Sequence, residues 1–274
     1  MPDKTIKHFV FSRFFSWFRG NYPYDIFDVD FLSTQLPLTK NMLSSLENQT
    51  NKDFEVVFLF HPKVADNPKK YELIFSMLKD STTLPLKFVK KGEETALIKD
   101  AVNEYDFLIQ TRMDFDDFIF KDAVADTQSK VNVCENILAY GYCRGYKYIC
   151  KELNNYVWKD KASHLGIFQS LIMKSSYAKN LPPVFVFDIG HNTFKLGLKR
   201  ILEKNSIEFS ENMFQQNTTT NAYIYFKHEF SAVQLIRLNG TPLVPPKTSL
   251  TTKDITKKQL EEEFGFFYEL KSIK

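Results

Sequence analysis

Cysteine is scarce and odd in number: Cys134, Cys143 and Cys150 are three, with no C-x-x-C spacing and no histidine at ligand spacing. A disulfide framework and a zinc finger are thereby excluded, and a reduced, intracellular setting is the expectation. Long apolar runs are missing as well. Nowhere do about 18 apolar residues follow one another, and the opening MPDKTIKHFVFSRFF holds too short a run for a signal peptide. The expected chain is cytoplasmic, soluble or peripheral to a membrane. Charge of one sign is not in excess either, since 36 basic residues face 33 acidic ones for a formal net charge of +3. Without a basic arm, that balance excludes a nucleic-acid binder. A G-x-x-x-x-G-K-S/T loop and a G-x-G-x-x-G fingerprint are both lacking, which argues against ordinary ATPases and Rossmann dehydrogenases. No internal repeat or low-complexity linker occurs.

What the chain does have is apolar and aromatic mass. Its 274 residues are 43% hydrophobic and include 27 Phe and 13 Tyr. That suffices for one large core and a carboxyl-terminal appendage, not two equal domains. Most of these rings belong in the core, while those beside a polar cleft are suited to stack on sugar or base faces. Apolar spacing alternates between two periods. Lys7 to Phe11, Phe54 to Phe60, Leu86 to Val89 and Phe107 to Ile109 read as strands; Thr39 to Asn48, Pro68 to Lys79 and Thr95 to Tyr105 read as helices. Such alternation predicts a mixed, mainly parallel sheet flanked by helices. Asn21 to Asp30, with a Pro and no period, reads as a loop. After Asp117 the pattern loosens. Val131 to Tyr140 and Tyr146 to Cys150 read as strands parted by the turn GYCRG, Tyr156 to Trp158 as a neighbour, and Gly166 to Met173 as a buried strand.

The most informative stretch is DFLIQTRMDFDD, Asp106 to Asp117. A buried strand runs into Asp114, Asp116 and Asp117, where the carboxyl ends of parallel strands bind ligands. Three carboxylates that close repel one another. A cation is expected among them, and hard oxygen donors suit Mg²⁺ or Mn²⁺ held together with a substrate diphosphate. The bland reading is an aspartate N-cap on a helix from Phe118 to Ala125. An EF-hand is excluded, because no Gly stands at its sixth position and no Glu at its twelfth.

The strand running into TRMDFDDFI resembles the S/T-R-x-D-x-D-D signature of the putative rhamnosyltransferase family, a GT-A-type glycosyltransferase family. HFVFSRFF, LPLTKNMLSSLENQTNKDFEVVFLF and HLGIFQSLIMKSS are similar to its opening strand, its next helix and strand, and a later strand. The resemblance extends from about His8 to about Arg200. It implies a GT-A-like fold with a nucleotide-binding half at 1–117 and an acceptor-binding half at 118–240. It further implies a nucleotide-diphosphate sugar donor, contacts to it from Arg13, Arg112 and Asp114, and Mn²⁺ or Mg²⁺ on Asp114 and Asp116. By the same resemblance the sugar is a deoxyhexose such as rhamnose, the acceptor a saccharide, and the product a surface polysaccharide or glycan. For Arg13 the bland alternative is an Arg stacked among structural aromatics. Where related enzymes often carry an Asp for the base, this chain has His61-Pro62, with Asp66 the nearest acid.

VFVFDIGHNTFKLGLKR, Val184 to Arg200, carries the second candidate. Its apolar run ends at Asp188, close to a helix that begins about Phe194, and inverting relatives place a general base at such a position. Asp188 is therefore the expected base, with His191 its rival and a plain N-cap the structural alternative. His228, after the alternating aromatics of AYIYFK, is the expected late metal or diphosphate contact. Beyond the breakers of Gly240 to Lys247, residues 241–274 form a linker and an amphipathic helix with Leu260, Phe264, Phe267 and Leu270 on one face. That face is expected to pack on its own domain or a sister subunit, with contact to a membrane surface the third reading. Two other function classes stay open at this point: a sugar-nucleotidyltransferase, although HFVFSRFF lacks its Gly-rich loop, and a non-catalytic glycan-binding or scaffold domain.

Overall fold

The run HFVF lies inside a strand, β1 (Ile6–Phe14), that becomes an inner strand of a seven-stranded sheet. The computed structural model describes residues 4–14, 25, 27–151, 154–161, 167–189, 194–227 and 257–265. In chain order the strands are β1, β2 (Glu55–Phe60), β3 (Leu86–Lys90), β4 (Phe107–Asp114), β5 (Phe118–Ile119), β6 (Ile137–Tyr142), β7 (Arg144–Lys151), β8 (Asn154–Lys161), β9 (Gln169–Lys174), β10 (Phe214–Asn217) and β11 (Tyr223–Lys227). The helices are α1 (Val29–Glu47), α2 (Pro62–Ala65), α3 (Glu72–Lys79), α4 (Glu94–Glu104), α5 (Ala123–Ser129), α6 (Ser175–Ala178), α7 (Phe194–Lys204) and α8 (Lys257–Phe264).

Across the large sheet the order is β10-β6-β9-β4-β1-β2-β3. Strands β3, β2, β1 and β4 run parallel, β9 runs antiparallel between β4 and β6, and β10 pairs parallel with β6. This is the mainly parallel α/β sheet that the alternating periods predict. Side chains two residues apart share a face. In β1 and β2 one face carries Val10, Phe14, Val56, Phe58 and Phe60 into a core shared with α1, α3 and α5. The other carries Phe9, Phe11, Val57 and Leu59 into a core shared with α4 and α7. A second sheet, β5-β11-β7-β8, follows on from the end of β4. The pairing of Tyr156 and Trp158 beside the β7 strand is present, opposite Ile149 and Lys147.

Several boundaries differ from the sequence reading. Helix α1 starts at Val29, ten residues before Thr39, and contains Pro37. Asp28 caps it, accepting from the N–H groups of Asp30 and Phe31, and burial of Leu32, Leu36 and Leu38 offsets the missing proline donor. The end of the expected Asn21–Asp30 loop is thus helix, and its first part lies outside the described residues. The segment after His61 forms two helices, with Pro62 and not Pro68 in the first turn. Phe118 starts no helix: Phe118 and Ile119 form β5, and α5 begins only at Ala123. GYCRG makes no hairpin, because β6 and β7 belong to different sheets, so Cys143 is where the chain changes sheet.

Residues 257–265 lie on the end of α1. Ser44 Oγ donates to the Gly265 carbonyl at 3.0 Å, Asn48 Nδ2 to the Glu262 carbonyl at 3.3 Å, and the Lys121 N–H to the Glu263 carbonyl at 2.9 Å. Phe264 is fully buried, edge-on to Tyr146. Gly265 ends α8 at φ 63, a left-handed conformation, and a Cβ there would stand 3.0 Å from the Ser44 carbonyl oxygen.

Candidate active site

The register of the sheet assembles the site. Along the β1–β4 ladder Phe11 stands opposite Arg112 and Arg13 opposite Asp114. The two-residue period puts Arg13, Arg112 and Asp114 on the face that also carries Phe9, Phe11 and Leu108. Strand β4 extends to Asp114, so these polar residues are its carboxyl end.

Arg13 Nη2 donates to Asp114 Oδ1 at 2.8 Å, with 24% and 28% of the two side chains exposed. Arg112 is only 2% exposed, and its Nε has no hydrogen-bond partner. Both guanidiniums rest on the Phe187 ring, each 4.6 Å from its centroid. Burial lowers the Arg112 pKa to about 10; the neighbouring positive charge of Arg13 works in the same direction, and Asp114 and Asp117 oppose it. Arg112 stays charged near neutrality. After Asp114 the chain turns, with the Asp117 N–H donating to the Asp114 carbonyl at 3.2 Å. Asp116 is half-buried and Asp117 fully buried.

Phe187 and Asp188 arrive on a one-turn 3-10 helix, Val186–Ile189. Gln110, in the middle of β4 on the same face, fastens it. Its Nε2 donates to the Val184 carbonyl at 2.9 Å, and its Oε1 accepts from the Val186 N–H at 3.2 Å. From the other side Gly197 of α7 approaches so closely that a Cβ would fall 1.7 Å from the Ile189 carbonyl oxygen. Asp188 itself is exposed, yet enough protein surrounds its carboxyl that desolvation raises its pKa, and the charge of Glu94 adds to this. A backbone contact from Phe185 and the charge of Lys91 pull it back.

Of the residues singled out in the sequence, Arg13, Arg112 and Asp114 meet around one aromatic ring, Asp116 follows in the adjoining turn, and Asp188 is the neighbour of that ring's residue. His191 and His228 lie outside the described residues. Asp66 is bound to Lys90 at 2.7 Å. His61 caps α2 by accepting from the Lys63 N–H and packs 4.7 Å from Phe27. The sequence reading missed Gln110 and Phe187. Gln110 had a signal, being the polar residue that directly follows the apolar run Phe107 to Ile109; Phe187 had none among so many phenylalanines.

Family comparison matches residues 26–221 to the family described as "Putative rhamnosyl transferase". The chain belongs to that family. Its sheet is mixed and mainly parallel, with helices on both faces. Among solved structures it is similar to S. aureus TarS 1-349 in complex with UDP-GlcNAc, at 13% identity and a TM-score of 0.45, covering 82% of this chain and 60% of that one. It is also similar to HddC from Yersinia pseudotuberculosis, at 17% identity and a TM-score of 0.39, covering 80% of this chain and 93% of that one. A third is a glucose-1-phosphate thymidylyltransferase from Bacillus anthracis in complex with a sucrose, at 14% identity and a TM-score of 0.39, covering 85% and 94%. This chain spans about 60% of the TarS 1-349 chain. Comparison with curated proteins finds no match.

No group of three or more Asp, Glu, His or Cys suited to a metal is gathered among the described residues. One or two carboxylates together with substrate phosphates are, however, the usual way proteins hold Mg²⁺. Asp114 and Asp116 fit a cation that arrives with a diphosphate and not a fully protein-held one. Among the described residues no helix is long and apolar enough to cross a membrane.

Proposed function

We propose that the transferase moves a sugar, by its family a deoxyhexose such as rhamnose, from a nucleotide-diphosphate donor to a hydroxyl of a saccharide acceptor, with inversion at the anomeric carbon. The observation that carries this reading is the charged carboxyl end of β4, where two guanidiniums and Asp114 adjoin the turn bearing Asp188. Arg13 and Arg112 present donors suited to diphosphate oxygens. Asp114 and Asp116 would hold Mg²⁺ or Mn²⁺, which when bound neutralises charge developing on the leaving diphosphate. Asp188 takes the proton of the attacking acceptor hydroxyl. Desolvation raises its carboxyl pKa, which makes it a stronger base than an ordinary aspartate. His191 and His228 are kept as second candidates for base and metal contact.

Asp188→Asn is the test. Asp188 is an exposed residue within the Val186–Ile189 turn, so a purely structural role predicts nearly normal rate and stability for the isosteric Asn. A base predicts turnover of transfer lowered about 10²–10⁴-fold with donor affinity little changed. The acid limb of the kcat/KM profile should lie higher than that of an ordinary aspartate in the native enzyme and vanish in the variant. Near-normal transfer by Asp188→Asn removes the residue from the mechanism.

A further inference from the structure

We propose that Arg13 is an internal counter-ion that keeps a free divalent cation off Asp114 and is drawn away by the donor diphosphate, so that cation and nucleotide bind interdependently. The inference rests on the reading of Asp114 and Asp116 as the protein's cation ligands. It adds that the chain itself occupies one of those ligands until the donor arrives.

Four observations support it. Arg13 and Asp114 are opposite one another in the β1–β4 ladder, so the pair is imposed by strand register and is not a chance meeting of long surface side chains. The 2.8 Å bond takes an oxygen of Asp114, and around it the described residues assemble no set of three metal-ligating groups. Phosphate oxygens of the donor would add the further ligands that Mg²⁺ ordinarily takes from its substrate. Both partners are about a quarter exposed, which makes the pair reachable by solvent and weak enough to be exchanged. Arg112, by contrast, is fully buried against the same Phe187 ring with its Nε unpartnered, and remains as fixed positive charge behind Asp114 whichever way Arg13 turns.

Charge supplies the direction of the exchange. Among the described residues two guanidiniums lie beside Asp114, and Asp117 acts on Arg112, so this group is formally balanced before any cation enters. A divalent ion alone would leave it positive, and a diphosphate restores the balance. Arg13 has a better partner in that diphosphate, because a guanidinium fork matches phosphate oxygens as well as carboxylate ones. It rests on the face of Phe187, so it can turn between the two anions without leaving the ring.

Mn²⁺ binding to the full chain, followed by electron paramagnetic resonance with and without inorganic pyrophosphate and corrected for the complex these form in solution, tests the proposal. Native protein should bind Mn²⁺ weakly alone and about 5- to 100-fold more tightly with pyrophosphate, with pyrophosphate affinity rising by the same factor when Mn²⁺ is present. Arg13→Gln should bind Mn²⁺ alone more tightly than native protein does and lose most of that coupling; Arg13→Lys, which keeps the charge, should behave as native. Asp114→Asn should lose Mn²⁺ under both conditions. Equal Mn²⁺ affinity in native protein and Arg13→Gln, with Asp114→Asn still defective, overturns the counter-ion role and leaves the cation site standing. No Mn²⁺ bound by any of these proteins, pyrophosphate present, overturns the cation site and the inference together. Melting curves on each variant confirm that the fold is retained.

Discussion

Gln110 lies in the middle of β4 with none of its surface exposed, and both ends of its amide are used. Replacing it with Leu leaves the Val184 carbonyl and the Val186 N–H without partners, at about 1–3 kcal/mol for each buried group left unpaired. Gln110→Leu should therefore lower the urea midpoint. It should also reduce turnover of transfer more than donor affinity, because the released segment carries Asp188; unchanged kinetics at full occupancy would show that this segment does not need the clasp. Residues of this kind mark the limit of what the sequence discloses. Asp114 could be picked out because carboxylates clustered at the end of an apolar run have few structural excuses, Arg112 through the family resemblance alone, and Arg13 because a strand ends there. Which of them touch is a matter of register, and register depends on pairing between segments a hundred residues apart. Asp66 illustrates the reverse: near the right place in sequence, it is engaged by Lys90 in the structure.

At the scale of elements, the turn Val186–Ile189 is set by what packs on it, and α7 comes close enough only because residue 197 lacks a side chain. Gly197→Ala would remove a helix-weakening glycine, worth about 1 kcal/mol by propensity alone. The clash with the Ile189 carbonyl acts in the other direction, at about 1–3 kcal/mol for overpacking. The variant should melt lower than the native chain and transfer more slowly; a higher melting temperature with full activity would show that α7 shifts freely and does not position the turn. The alternation of β1 to β4 with α1 to α4 was legible because the inner strands β1, β2 and β4 are largely buried on both faces and carry the apolar runs FVF, VVFLF and FLI. The start of α1 was not, since Pro37 interrupts the local pattern and only burial of the flanking leucines carries the helix through it. The separation of β6 from β7 was invisible for a related reason: a chain passing between sheets at Cys143 and a chain turning back at a hairpin use the same kinds of residue.

On the scale of the whole molecule, the opposite face of the central strands holds a polar chain with no access to water. His8 Nε2 meets Thr111 Oγ1 at 2.8 Å, Thr111 Oγ1 meets Ser170 Oγ at 2.6 Å, and Gln128 donates to the Asp53 carbonyl at 2.7 Å beside the His8 ring. Burial lowers the His8 pKa to about 3. Unfolded, the imidazole titrates near 6.5. Between these values the unfolded chain binds a proton that the folded chain does not, so stability is complete above about pH 6.5 and falls as pH drops toward 3, by at most about 1.4 kcal/mol per pH unit. Lowering the pH from 7 to 5 should accordingly reduce the melting temperature of the native chain more than that of His8→Gln. Equal losses would mean that other groups govern acid sensitivity.

The contacts of residues 257–265 also bear on the order of events during synthesis. Ser44 and the Gly265 carbonyl it reaches are 221 positions apart. At roughly 5–20 residues per second, a ribosome needs about 10–40 s to span that distance. Throughout this interval the end of α1 has no covering strap, while β1 also waits for β4 before its second ladder can close. The nascent chain thus has a window in which a chaperone or a protease can recognise this helix end, and the arrival of Phe264 closes it.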